Sequence, residues 1–358
     1  MTKAQRNMGW TSVTIACVLS ILGLFSSSIA WGETPSAVTA HKVKIGVLND
    51  QSGPYADMGG VGSVVAARLA IEDSGLTTRG WQVDLVSADH QNKPDVAVNI
   101  ARQWFDIGNV DVVTDVTNSA VGLAVSQVAH KKNKAMLASG SATSDLTGKA
   151  CSPNTIQWGP DTWAFAHGIG KAVVQSGGDT WFFVTADYAF GHALARDTKA
   201  VVLANGGTVL GEVKHPLGST DFSSYLLQAQ DSGAKIIALA NSGSDVINTI
   251  KQAAEFKIVS GDRHLAALLL YISDIHAIGQ QIAQGLLLES PFYWNINEST
   301  RKFAERFAAH MGGRKPTIVH AGVYASLRHY FKVIEVLGDG TNGAAAIAKM
   351  KLMPTDDP

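Results

Sequence analysis

The run Val43-Lys44-Ile45-Gly46-Val47-Leu48, followed by Asn49-Asp50-Gln51-Ser52-Gly53-Pro54, decides the fold of this chain. Apolar side chains at both odd and even positions leave this strand no face for water. Such a strand belongs in a parallel sheet covered by helices on both sides. Ser52-Gly53-Pro54 then turns the chain. A helix is expected over 60–73, with Val61, Val64, Val65 and Leu69 on one face. Strand, polar turn and helix in that order form the first half of a βα unit.

Outward from this unit the pattern repeats. Residues 81–88, 110–116 and 135–139 read as strands, with helices over 94–105 and 119–132. The series then restarts after a helix at 161–174. Strands are expected at 180–185, 208–213, 236–240, 265–272 and 286–289, alternating with helices at 192–205, 222–231 and 245–256. Helices over 299–311 and 318–337 follow. Two successive βα series imply an α/β fold: two doubly wound parallel sheets, each flanked by helices, with a cleft between two lobes joined by a hinge. In such sheets ligands gather at the carboxyl ends of the strands, where helix N-termini present unpaired N–H groups.

Composition agrees. Of 358 residues, 46% are apolar and 16% charged, which excludes an intrinsically disordered chain and allows two domains. Lys and Arg number 29 against 30 acids, so no basic excess points to nucleic acid or an anionic membrane. Lys3 and Arg6 precede an uncharged apolar run over 11–25 and then Ser26, Ser27, Ser28 and Ala30. This is the layout of a secretory signal peptide over 1–32, cleaved after Ala30 or Gly32. The apolar run falls short of the ~20 residues that span a bilayer. Its removal takes Cys17 away and leaves Cys151 alone, without a partner for an internal disulfide.

Catalytic patterns are missing. There is no phosphate loop of the type G-x-x-x-x-G-K-[ST], no H-E-x-x-H pair and no G-x-S-x-G elbow, and the eleven His lack metal-ligand spacing. No enzyme activity, cofactor or metal is therefore expected. Uncharged polar loops stand out instead. Thr117-Asn118-Ser119 follows the third strand and Ser139-Gly140-Ser141-Ala142-Thr143-Ser144-Asp145 the fourth. Ordinary helix capping uses the same residues, but two such loops on one rim also suit a carboxylate, held by hydroxyls and backbone N–H groups.

Residues 44–60 (KIGVLNDQSGPYADMGG), Asp187-Tyr188-Ala189-Phe190-Gly191-His192, Ser290-Pro291-Phe292-Tyr293-Trp294-Asn295 and His320-Ala321-Gly322-Val323-Tyr324-Ala325 carry a resemblance. The chain resembles the periplasmic solute-binding proteins of branched-chain amino acid type ABC importers over roughly residues 42–357. That resemblance implies the type I periplasmic binding protein fold. Residues 41–158 and 293–340 would form lobe one, and 159–292 with 341–358 lobe two. Carried over by position, Tyr55 and Met58 would lie over the ligand. Asn118, Ser119, Ser141, Ala142 and Thr143 would hold its carboxylate, with Ser139 beneath. Tyr188, Phe190 and the loop Asn241-Ser242-Gly243 would close from the second lobe, and Trp158 would stack near the first hinge crossing. The implied partners are a small carboxylate-bearing solute and a membrane permease; a monomer is the default, in the periplasm.

Two departures from the family pattern bear on function. Amino-acid binders of this type place an acid in the second lobe against the ligand ammonium. The matching stretch here, Ala266-Ala267-Leu268-Leu269-Leu270-Tyr271, has none, and Asp274 is the nearest. An unpaired buried ammonium is costly, so the expected solute is an aromatic or otherwise apolar carboxylic acid, with a branched-chain or other amino acid as the alternative. The chain also stops at Pro358, short of the family's last strand-bearing segment, which leads to the expectation of an exposed sheet edge. A sensory protein of the same fold and, more remotely, a hydrolase acting in the cleft are the competing functions.

Overall fold

The computed structural model describes residues 41–290 and 292–355. The leader expected over residues 1–32 lies outside them.

The opening run forms β1 (Lys42–Asn49). It is followed by α1 (Gly60–Ser74), β2 (Gln82–Asp89), α2 (Pro94–Asp106), β3 (Val112–Asp115), α3 (Ser119–Lys131), β4 (Ala135–Ala138) and β5 (Thr155–Gln157). All five strands pair in parallel in the order β2-β1-β3-β4-β5. Val43, Ile45 and Val47 face one helix layer, while Leu48 faces the other with Val113, Ala101 and Val125. Both faces of β1 are thus buried, which is why its apolar pattern is unbroken.

The second series runs α4 (Thr162–Gln175), β6 (Thr180–Ala186), α5 (Ala189–Ala204), β7 (Thr208–His215), α6 (Ser223–Asp231), β8 (Ile236–Ala240), α7 (Ser244–Glu255), β9 (His264–Ala267), α8 (Ile272–Ile278), α9 (Gln280–Ala283) and β10 (Leu287–Leu288). Its sheet is also parallel, ordered β10-β9-β8-β6-β7. Helices α10 (Glu298–His310), α11 (Ile318–Leu337) and α12 (Gly343–Leu352) return to the first lobe. Each sheet reverses its winding once, between β1 and β3 and between β6 and β8, and a crevice opens at such points.

Four expectations need correction. The buried face of α1 is made of Gly62, Ser63, Ala66, Ala67, Leu69 and Ala70, and Val61 is 55% exposed. Small residues let α11 approach α1 closely, so size and not hydropathy selects the contact face. The strand expected over 265–272 ends at Ala267. Leu268, Leu269, Leu270 and Tyr271 leave the sheet yet stay buried, so their apolar character reflects burial beyond the strand. Strand β5 was not anticipated from its short sequence. Residues 341–358 were expected in the second lobe, but α12 docks on the first. Ala346, Ile347 and Met350 join that core, Gly343 N–H donates to Asn133 O at 2.8 Å, and His329 Nε2 meets Met350 O at 2.9 Å. Gly338, left-handed at the end of α11, turns the chain back onto its own lobe.

Candidate functional site

Six strand ends meet between the lobes, and each is shaped by its own local chemistry. After β1, buried Asp50 accepts the N–H groups of Gly53 and Tyr55, both at 2.8 Å, and Asn92 Nδ2 at 2.6 Å. This Asx-type turn sends Tyr55 and Met58 inward, leaving them 2% and 5% exposed.

After β3 the backbone is strained. Asp115, Val116 and Asn118 have φ of 71°, 51° and 76°, in a region that L-residues seldom occupy and that clusters at functional sites. The strain is held by side chains: Asp115 accepts from Asn49 Nδ2 and Thr117 Oγ1, each at 2.7 Å. Burial raises the Asp115 pKa. Asn118 Oδ1 caps α3 by accepting the N–H groups of Ala120 (2.9 Å) and Val121 (3.2 Å), leaving that of Ser119 outside the cap.

After β4, Gly140 lies against Asp115, where an added Cβ would come within 2.2 Å of Oδ1. Ser141 Oγ donates to Val116 O, and Thr143 N–H donates to Ser119 Oγ at 3.2 Å while Thr143 Oγ1 accepts Asp145 N–H at 3.3 Å. Ser141 and Thr143 therefore brace the loop. From the second lobe, Tyr188 stands immediately before α5 and Phe190 lies in its first turn, with the Tyr188 hydroxyl hydrogen-bonded to that of Tyr55. After β8, Asn241 turns inward: its Nδ2 lies 3.1 Å from His215 Nε2 and 3.2 Å from Thr249 Oγ1. Ser242 takes its place at the surface of the cleft. After β9, Leu269 and Tyr271 complete the wall, and buried Asp274 accepts Tyr271 N–H at 2.9 Å.

Tyr55, Met58, Asn118, Ser119, Gly140, Ala142, Tyr188, Phe190, Ser242, Leu269 and Tyr271 together enclose a cavity of about 10 Å³. Of the residues expected at the site, Ser139, Ser141, Thr143, Trp158 and Asn241 lie outside this wall. Ser139 and the Trp158 carbonyl abut Gly322 of α11, and the Trp158 ring lies tilted against His329, with ring centroids 5.4 Å apart, and lines a separate cavity of about 290 Å³ with Phe292, Phe303 and Tyr324. Reading by position missed Gly140, Leu269 and Tyr271 as wall residues. The run Leu268–Tyr271 signalled burial, though not against which partner.

The wall carries no charged side chain. The N-termini of α3, α5 and α7, helices of 13, 16 and 12 residues, open on the cavity, and their dipoles favour an anion. Behind the wall, burial holds the carboxyls of Asp245 and Asp274 up at about 7, so their negative charge is partly discharged at neutral pH. Among the described residues, no group of three His, Cys, Asp or Glu is placed to hold a metal ion.

The lobes are joined across the cleft. Ser244 N–H donates to Pro54 O at 3.1 Å. Asp197 of α5 accepts from Ser144 Oγ at 2.7 Å and Thr162 Oγ1 at 2.6 Å, and Arg196 reaches Asp145 at 3.2 Å.

The profile of the periplasmic binding protein family matches residues 42–358. A crystal structure of a periplasmic binding protein from Burkholderia mallei superposes with a TM-score of 0.86 and 46% identity, over 89% of this chain and 84% of that one. A branched-chain amino acid ABC transporter periplasmic ligand-binding protein from Burkholderia xenovorans gives 0.76 and 37%, over 88% and 84%. The fold is also that of an ABC transporter solute-binding protein from R. palustris in complex with benzoate, at a TM-score of 0.78 and 19% identity over 86% and 85%.

Proposed function

The chain belongs to the periplasmic binding protein family, and from that premise we propose that it is the extracytoplasmic receptor of an ABC importer of the branched-chain amino acid type, taking an aromatic carboxylic acid without an amine. One observation carries this reading. The wall of the cleft supplies three helix N-termini and small polar groups for a carboxylate, aromatic rings on the other side, and no acid facing the cavity to meet an ammonium. Asp274, the nearest acid by sequence, spends its carboxylate on Tyr271 N–H behind the wall. Benzoate in the R. palustris protein is compatible with a cleft of this fold holding such a solute.

The carboxylate falls to Ser119, Asn118 and the Ala142 loop, and the ring to Tyr188, Phe190 and Tyr271. Closure of the lobes buries the solute, and the closed form is what a membrane permease recognises. The protein acts by binding alone, without catalysis, as a monomer. Export through a cleaved leader over residues 1–32 places it in the periplasm. No helix among the described residues is long and apolar enough to cross a membrane.

A thermal-shift screen of the exported chain tests the reading. A solute at 100 times its Kd adds about 2.7 kcal/mol, a rise of a few degrees in Tm for a chain of this length. Benzoate-type acids should give that rise and leucine none. A rise with leucine and none with any aromatic acid refutes the proposal.

A further inference from the structure

Tyr55 and Tyr188 reach the cavity from opposite lobes, and their hydroxyls hydrogen-bond to each other. Two phenol hydroxyls carry two donor hydrogens, and their mutual contact spends one of them. Among the described residues no other protein group accepts from or donates to either hydroxyl. One donor is thus left in the wall, where none of the other hydroxyls, those of Ser119, Ser242 and Tyr271, accepts it. Burial pushes both phenols up in pKa, so they remain neutral and able to donate.

The cavity of about 10 Å³ is at the lower limit for a single water. A solute that occupies the cleft must part the two hydroxyls. If it presents only hydrocarbon there, two buried hydroxyls lose their partner. If it presents a hydroxyl, that group accepts from one tyrosine and donates to the other. A site built to hydrogen-bond a substituent disfavours the analogue that lacks it far more strongly than an apolar pocket disfavours a missing methylene.

We infer that the solute carries a ring hydroxyl in addition to its carboxylate, and that the Tyr55–Tyr188 pair selects a hydroxylated aromatic acid over the bare ring. The inference rests on the aromatic-acid reading of the cleft given above. Tyr55 and Tyr188 then set specificity, while the α3 rim holds the group common to all such acids.

The test is calorimetric titration of the full exported chain with benzoate, 3-hydroxybenzoate and 4-hydroxybenzoate, repeated on Tyr188→Phe and Tyr55→Phe after thermal melts show both variants folded. One hydroxybenzoate isomer should bind at least about tenfold more tightly than benzoate, and in Tyr188→Phe that ratio should shrink to within about threefold. Equal or tighter binding of benzoate by the wild type overturns this inference alone. So does a hydroxyl preference that survives in both variants, or a common weakening of all three acids, which would put the tyrosines on the carboxylate. No binding by any of the three overturns the aromatic-acid reading and this inference with it.

Discussion

Replacing Gly243 with alanine separates the strain of a backbone from the closing of the cleft. Gly243 has a φ of 62°, and an added Cβ would lie 2.3 Å from Pro54 O and 2.8 Å from Tyr55 Cδ1. Gly243 belongs to the second lobe, Pro54 and Tyr55 to the first. The backbone strain, of order 1–3 kcal/mol, is present whether the lobes are open or closed. The clash exists only when they are closed. An ordinary C···O contact is about 3.3 Å, so the lobes must back off by roughly 1 Å at this point. That withdrawal breaks the Ser244 N–H to Pro54 O bond, while the Tyr55–Tyr188 contact does not enter the difference, because the solute parts it in either protein. At about 0.5–1.5 kcal/mol net for a hydrogen bond, closure around the solute weakens by that amount. Solute affinity should then fall by roughly two- to twelvefold.

Gly233→Ala is the control, because Gly233 has a φ of 71° but nothing within 4 Å of an added Cβ. Both variants should lose a few degrees of Tm, consistent with the strain alone. Only Gly243→Ala should show an enlarged radius of gyration by small-angle scattering and weakened binding by calorimetry. If Gly243→Ala keeps the wild-type radius and binds the solute as tightly as wild type, the reasoning fails, since the magnitude above requires at least about a twofold loss.

Two further outcomes are expected. Burial holds His320 down at about 4, and its neutral ring bridges Gly59 O at 2.8 Å and Thr317 N–H at 3.0 Å. The unfolded chain takes up a proton near pH 6.5 that the folded chain refuses, so this group removes stability as pH falls from about 6.5 to 4, by up to about 3 kcal/mol. Asp245 and Asp274, held up at about 7, work in the opposite sense, since the stability from their retained protons is lost as pH rises through 7. The wild-type minus His320→Gln difference in urea unfolding isolates the histidine, and a difference that stays constant between pH 7 and pH 4.5 refutes it. Asp197→Ala removes the acceptor that ties Ser144 of the first lobe to α5. A lost charged hydrogen bond of about 1.5–3 kcal/mol should raise the solute dissociation rate at least tenfold in stopped flow, and an unchanged rate would show that the clasp does not hold the cleft shut.

The sequence by itself determined the two βα series, the parallel pairing and the rim on which a ligand would lie. Parallel strands buried on both faces write unbroken apolar runs such as Val43–Leu48, and the loops at their carboxyl ends must be polar to cap the next helix. Direction within those loops was not legible. Ser119 and Ser141 are both small hydroxyl residues on one rim, yet one faces the cavity and the other donates to Val116 O. Either role satisfies the hydroxyl, so residue type cannot choose between them. Asn241 likewise turns its Nδ2 onto His215 and Thr249, which hands the cleft to Ser242. Leu268–Tyr271 looked like more strand because hydropathy records that a residue is buried without recording against what. Only the tertiary structure, by setting two sheets' strand ends face to face and turning α12 back at Gly338, decided which of these residues share a wall.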